Sequence, residues 1–324
     1  MPDLAAAGFL AGVPLFAGRD EDGLAEVAAM LRPRAIGRDE VVWNQGDDAR
    51  ELLIVVEGAL SASLHVPADR VVEIATAGPG DTVGEIGLLD GGPHTMTVRA
   101  VEATTVLALG RVELGALLAP RDSAAFALRR RLAALLTARH RNQLARLSDS
   151  LGGGPSGPSA DDADRAFAEL EGCGPPDSRY VRRMATFHDL DSLALWGFLT
   201  SGAYARCGRG RTLVAEGAPS TACYLTINGV VEQVLACGIC RIRVGFVGLG
   251  KAFGYESLVD GGPSPVTAVT RERALLLVLP HDRFTQLFHG EDAVSRVFLD
   301  VIQRELVATL RQTLRPHARL AASL

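Results

Sequence analysis

One stretch of this 324-residue chain is written twice. Asp90-Gly91-Gly92-Pro93 returns as Asp260-Gly261-Gly262-Pro263. Gln45-Gly46, ahead of Leu52-Leu53-Ile54-Val55-Val56-Glu57-Gly58, returns as Glu216-Gly217 ahead of Cys223-Tyr224-Leu225-Thr226-Ile227-Asn228-Gly229. The offset stays at about 170 residues across every pair. A constant offset marks two copies of one folding unit, not a scattered motif. The fold must therefore be one that is built twice in tandem, and each copy can be compared with the other.

The period of the apolar residues describes that unit. Leu24, Val27, Ala28 and Leu31 fall at helical spacing. Short β-rich runs then follow at Val41–Trp43, Leu52–Val56, Ala59–Val66, Val71–Ala75, Thr97–Ala100 and Thr104–Leu109, punctuated by Gly, Asp and Pro. Many short strands with tight turns indicate a sandwich or barrel. From Ser123 to Leu147 the period is helical again. Phe126, Leu132, Leu135, Leu136, Leu144 and Leu147 form an apolar stripe, with Arg129, Arg130, Arg139 and Arg141 mostly off it. The second copy repeats the plan: a helical lead-in over 161–200, then strands at Arg211–Val214, Cys223–Ile227, Val230–Leu235, Arg241–Phe246, Val266–Thr270 and Ala274–Leu279, and a closing helix over 291–314. Asn228-Gly229 reads as a hairpin turn. The boundaries that follow are 1–150 for the first domain, a flexible Gly/Pro/Ser linker at 151–163, and 164–324 for the second domain.

Charge and cysteine usage narrow the function classes. A net charge of −5 and a pI near 5.8 leave no global basic field to recruit nucleic acid. The apolar start, Met1 to Phe16, has no basic residue before Arg19 and reads as a short helix, not an export signal. No apolar run reaches the roughly 18–20 residues that span a bilayer. The 5 cysteines all lie in the second half and read as reduced thiols of a cytoplasmic protein.

Residues 78–100 carry the chemistry: Gly-Pro-Gly-Asp-Thr-Val-Gly-Glu-Ile-Gly-Leu-Leu-Asp-Gly-Gly-Pro-His-Thr-Met-Thr-Val-Arg-Ala. This segment resembles the phosphate-binding cassette of the cyclic nucleotide-binding domain, the family of catabolite activator protein, the regulatory subunits of cAMP-dependent kinase and the cyclic-nucleotide-gated channels. The Gly46-Asp47 turn, Glu57-Gly58 in a hairpin and the long closing helix agree with it. The resemblance implies a mainly β fold with helices: two tandem β-rolls of jelly-roll type, each with a helical N-terminal lead-in and a long C-terminal helix. It implies a first-copy ligand site of Gly84, Glu85, Ile86, Gly87, His94, Thr95 and Met96. Glu85 is placed to accept from a ribose hydroxyl, and Gly84 and Gly87 admit close backbone approach. A one-turn helix over Ile86 to Leu89 turns its free N–H groups toward a phosphate. The ligands implied are cAMP or cGMP, with no cofactor, no metal and no catalytic residue.

Two departures qualify the resemblance. The family's phosphate-holding Arg falls on His94, which carries only a fraction of a charge near neutral pH. A hydrogen bond to a charged group contributes roughly 1.5–3 kcal/mol, so its loss weakens binding by roughly ten- to a hundredfold. Arg99 lies in the next strand and points off the pocket. The second copy has drifted further: around Gly254 the Glu position is Tyr255, Glu256 is one residue off, the Arg position is Ser264, and Pro265 removes a donor. Its pocket is expected to be degenerate and silent.

Other motifs carry less. Cys237-Gly238-Ile239-Cys240 has the spacing of half a zinc site, without a second pair. Arg182-Arg183-Met184-Ala185 resembles a kinase pseudosubstrate but reads as an exposed Arg pair on a helix. The arginines of the first long helix read as a solvated face, and no helix-turn-helix follows either long helix. No Ser/His/Asp, P-loop or paired-carboxylate pattern supports an enzyme. The expectation is a ligand-sensing regulator that signals to a protein partner through helix rearrangement, paired as a homodimer through its long helices. The rival is a ligand-free interaction scaffold with two degenerate pockets.

Overall fold

The computed structural model describes residues 2–66, 70–151, 170–182, 184, 187, 190–237 and 240–323. They divide into two compact units. The first comprises Met1–Leu135 with Leu314–Leu324, and the second comprises Leu136–Thr313. Residues 152–163, most of the expected linker, lie outside the described residues, as do Arg183 and Ala185 of the Arg182–Ala185 motif and Gly238-Ile239.

The first unit opens with α1 (Pro2–Leu10) and α2 (Glu21–Met30), the latter capped by Asp20, whose side chain accepts from the Gly23 amide at 3.0 Å. Eight strands follow: β1 (Arg32–Ile36), β2 (Val41–Trp43), β3 (Glu51–Glu57), β4 (Leu60–Val66), β5 (Arg70–Ala77), β6 (Thr82–Val83), β7 (Thr97–Ala100) and β8 (Thr104–Gly110). They form two antiparallel sheets in the orders β1-β8-β3-β6 and β2-β7-β4-β5. Helix α3 (Glu85–Asp90) is inserted between β6 and β7, and α4 (Arg111–Leu118) and the long α5 (Ser123–Asp149) close the run. Alternation along β3 explains its unbroken apolar sequence. Leu53 and Val55 face the interior of the roll with Trp43, Leu60, Val83 and Val98. Leu52 and Ile54 face outward into a second core with Leu10, Phe16, Leu24, Val27, Leu114, Leu128 and Leu132 of the helices. A strand covered on both faces has no polar side to show.

The second unit repeats this topology. After β9 (Glu171–Cys173), α6 (Ser178–Arg182) and α7 (Ser192–Leu199) come β10 (Ala203–Cys207), β11 (Thr212–Val214), β12 (Ala222–Asn228), β13 (Val231–Cys237), β14 (Cys240–Val247), β15 (Ala252–Phe253), α8 (Glu256–Asp260), β16 (Thr267–Thr270), β17 (Ala274–Pro280), α9 (His281–His289) and α10 (Ala293–Ser323). The sheets run β15-β12-β17-β10-β9 and β11-β16-β13-β14. Bulges recur at matching places: Val55/Glu57 with Thr226/Asn228, and Ala62/Ser63 with Gln233/Val234. Both long helices start on an Asp cap, Asp122 to the Ala125 amide and Asp292 to the Ser295 amide.

Four sequence expectations are corrected. Glu57-Gly58 and Asn228-Gly229 are not hairpin turns, because β3 and β4, and likewise β12 and β13, belong to different sheets. The glycines carry the chain across the roll at φ of 86° and 94°, against carbonyls that a Cβ would strike at 2.7 Å. The stretch 161–200 is not wholly helical, since β9 pairs with β10 as an edge strand. Arg129 is buried, donating to the Leu118 carbonyl at 2.9 Å and so tethering α5 to the end of α4. The apolar stripe of α5 is largely covered within one chain: Phe126, Leu132, Leu136, Leu144 and Leu147 are buried and Leu135 is half-buried. Among the described residues, no helix is long and apolar enough to cross a membrane, and no group of His, Cys, Asp and Glu could hold a metal ion.

Candidate functional site

The first cassette begins at Gly84, whose φ of 98° lies in the left-handed region. A Cβ there would stand 2.9 Å from the Glu51 carbonyl oxygen and 3.1 Å from the Trp43 ring, so the position demands glycine on both counts. Glu85 and Ile86 open α3 and are buried. Gly87 packs against Ala49. The Arg111 guanidinium donates to the Ala49 and Gly87 carbonyls, holding the helix against the roll. At the far end of the cassette His94 is locked by its backbone: its N–H donates to the Asp47 carbonyl at 2.8 Å, and its carbonyl accepts from Gly46 at 2.9 Å. Its ring is buried and stacks on Trp43, with centroids 4.0 Å apart and 4° between planes. Thr95 and Met96 are half-buried. Met96 packs against a cluster of Leu64, Val66, Ile74 and, from α10, Leu314, as do Val72 and Ala318. Arg99, on β7, is exposed.

The second cassette has the same backbone and different contents. Gly254 keeps a positive φ of 75°. Ser264 takes the place of His94 bond for bond: its N–H donates to the Ala218 carbonyl at 2.7 Å, and its carbonyl accepts from Gly217 at 2.9 Å. The Ser264 hydroxyl pairs with Ser220 Oγ at 2.7 Å, and the Ser220 amide donates to Ser257 Oγ at 3.1 Å. These polar groups satisfy one another. Tyr255, at the Glu85 position, is fully buried with its hydroxyl 3.3 Å from Thr309 Oγ1. Burial, with Glu256 and Glu305 nearby, pushes its phenol well above the ordinary range.

Glu256 is buried as well, facing α5. Its Oε1 lies 3.7 Å from Nδ1 of His140, a ring with no exposed surface. Burial holds Glu256 up to about 7, against the partial opposition of Arg141. Burial, with Arg141 beside it, brings His140 down to about 3. Arg141 forks onto Asp260, with Nε–Oδ2 at 2.6 Å and Nη2–Oδ1 at 2.8 Å, and also donates to the Pro263 carbonyl. The repeated Asp-Gly-Gly-Pro turn of the second copy is therefore an arginine receptor. The sequence showed Tyr255, Ser264 and the misplaced Glu256, but not Trp43, His140 or Arg141 as parts of either site. An aromatic two residues ahead of Gln45 was the available signal for Trp43; nothing marked the helix residues.

The sequence model of the cyclic nucleotide-binding domain matches twice, over residues 33–121 and 205–291. The chain belongs to that family. As a tandem cyclic nucleotide-binding domain protein, it resembles regulators and channels over single domains. It is 28% identical over 138 residues to a CRP-like cAMP-activated global transcriptional regulator of Mycobacterium tuberculosis, covering 43% of this chain and 61% of that one. It is 31% identical over 104 residues to a cyclic nucleotide-gated potassium channel of Rhizobium etli, covering 32% and 28%. The regulatory domain of Toxoplasma gondii PKA, crystallised with cAMP, aligns over 88% of this chain and 91% of its own, at 18% identity and a TM-score of 0.34. The chain spans between about a fifth and three fifths of the length of the curated relatives it matches.

Proposed function

We propose that the first domain binds a cyclic nucleotide, cAMP or cGMP, or a similar small anionic ligand, through Gly84, Glu85, Ile86, Gly87, His94, Thr95 and Met96. The second domain, with Gly254, Tyr255, Glu256 and Ser264 at the matching places, is a degenerate partner. The output is conformational: ligand contacts bias the long helices, and a protein partner in the cytoplasm reads the change. The observation that carries this reading is the pairing of a buried Glu85 at the head of α3 with His94 at the phosphate position. The flat stack of His94 on Trp43 suits an imidazolium, since an indole face attracts a cation.

The test is a calorimetric titration of the full chain with cAMP and cGMP across pH. A phosphodiester favours the protonated ring, so binding takes up a proton and affinity rises as pH falls from about 8 to 6, by up to roughly tenfold per unit. His94→Arg tightens binding at pH 8 and flattens that dependence; Glu85→Ala weakens binding throughout. One ligand per chain is expected. No binding by wild type at pH 6, and none created by His94→Arg, sinks the reading.

A ligand-free scaffold is the second reading, favoured by the self-satisfied serines and fully buried Tyr255 of the second cassette. It predicts that failure. Pairing of two copies through the long helices is settled by light scattering; the burial of the α5 stripe within one chain favours a monomer.

A further inference from the structure

In the second unit the cassette is engaged by the chain itself. Beside the Arg141–Asp260 fork, His140 Nε2 lies 3.1 Å from Thr313 Oγ1. That hydroxyl already gives its hydrogen to the Thr309 carbonyl at 2.9 Å. It can only accept from the ring, so His140 donates from Nε2, and in the neutral ring Nδ1 is a bare acceptor. Facing Nδ1 at 3.7 Å stands Glu256 Oε1, and neither atom has a hydrogen-bond partner. Two buried acceptors opposed in this way are stable only with a proton between them.

We propose that Glu256 and His140 hold one proton in common, and that this proton latches the second half of α5 to the second cassette, making the grip on that helix a pH-read switch. The latch goes beyond the nucleotide reading and needs no ligand. The groups facing Glu256 come from every element around it. Helix α5 supplies His140 and Arg141, the latter already committed to Asp260 of α8. Tyr255 and, from β12, Cys223 are buried against the same charge. Helix α10 supplies Glu305, itself held up to about 7 by burial, with Lys251 as its counter-charge. Loss of the proton to water leaves a carboxylate facing a lone pair, with one shared arginine to compensate.

The sign follows from the directions. Glu256 and Glu305 are raised above the ordinary carboxylate value of 4.5, so their contribution to stability is present below that value and lost as pH rises toward 7. His140 is lowered, so its contribution is lost as pH falls from 6.5 toward 3 and offsets one carboxyl over the shared range. The loosening on the alkaline side is steepest near neutrality, where His140 no longer offsets it.

Hydrogen exchange of the full chain, corrected for intrinsic rates, reads the latch in peptides covering 136–147 and 254–262. Wild type is expected to lose protection there as pH rises from about 6 to 7, by up to roughly tenfold per unit for one proton, and to level off above 7. Glu256→Gln, neutral at every pH and able to donate to Nδ1, keeps its pH 6 protection at pH 8. Flat protection in wild type overturns the proposal, as does a slope removed by Glu305→Gln but not by Glu256→Gln. A carboxyl carbon NMR titration of wild type decides independently of any variant's folding: a Glu256 midpoint near 7 supports the shared proton, and one in the ordinary carboxylate range refutes it.

Discussion

Replacing Gly84 with alanine tests whether the first cassette is built on a backbone that no side chain tolerates. The φ of 98° costs an L-residue about 1–2 kcal/mol. The new methyl would also stand 2.9 Å from the Glu51 carbonyl oxygen and 3.1–3.3 Å from two atoms of the Trp43 ring. Glu51 is fixed in the β3–β8 ladder, so the strain falls on α3 and Trp43, at about 1–3 kcal/mol for overpacking. The sum, about 2–5 kcal/mol, lowers the melting temperature by roughly 4–20 °C for a unit of this size. Displacing Trp43 breaks its stack on His94, so tryptophan emission should shift alongside. Gly254→Ala is the internal control. Its φ of 75° carries similar strain, but its neighbours are a Val214 methyl at 3.0 Å, which can give, and the Ala222 carbonyl oxygen at 3.1 Å, looser than the 2.9 Å at Gly84, so its loss is smaller. Differential scanning calorimetry with both variants checks the order. A Gly84→Ala protein melting within about 2 °C of wild type, or melting above Gly254→Ala, refutes the reasoning.

Two further outcomes follow from burial and connectivity. Burial, with Glu256 and Glu305 adding to it, pushes the Cys223 thiol far above its ordinary range, so maleimide at pH 8 labels half-buried Cys173 in the folded protein and Cys223 only in urea; mass spectrometry showing equal rates counts against this. Proteolysis is expected within the Gly/Pro/Ser segment 151–163, and the two fragments should co-elute on gel filtration, because residues on each side of the cut belong to both units; separate elution would show that the shared helix ends contribute little.

Much of the fold was legible because glycine, proline and aspartate bound its short strands. Val41–Trp43 and Thr97–Ala100 coincide with β2 and β7 at both ends. Strand β1 escaped notice because Arg32-Pro33-Arg34 reads as a loop, yet it pairs only with β8 at a sheet edge, where proline is tolerated. The hairpin reading of Asn228-Gly229 failed because turn residues report a reversal, not which sheet the next strand joins. At the candidate site, position in the cassette placed Glu85, His94 and Ser264. Contacts made across long sequence separations, such as Arg141 with Asp260 or Trp43 with His94, leave no local periodicity to read.

The division of the chain has a consequence for how the molecule is made. Leu314 and Ala318 close a cluster on β4 and β5, so the first unit is complete only when residues beyond Thr313 exist. A ribosome adding roughly 5–20 residues per second needs on the order of ten to forty seconds to travel from Leu135 to that point. Through that interval the first roll waits with Leu64, Val66 and Ile74 uncovered. The first copy is synthesised early but finished late, and a nascent chain stalled inside the second copy presents an apolar patch that the finished protein buries.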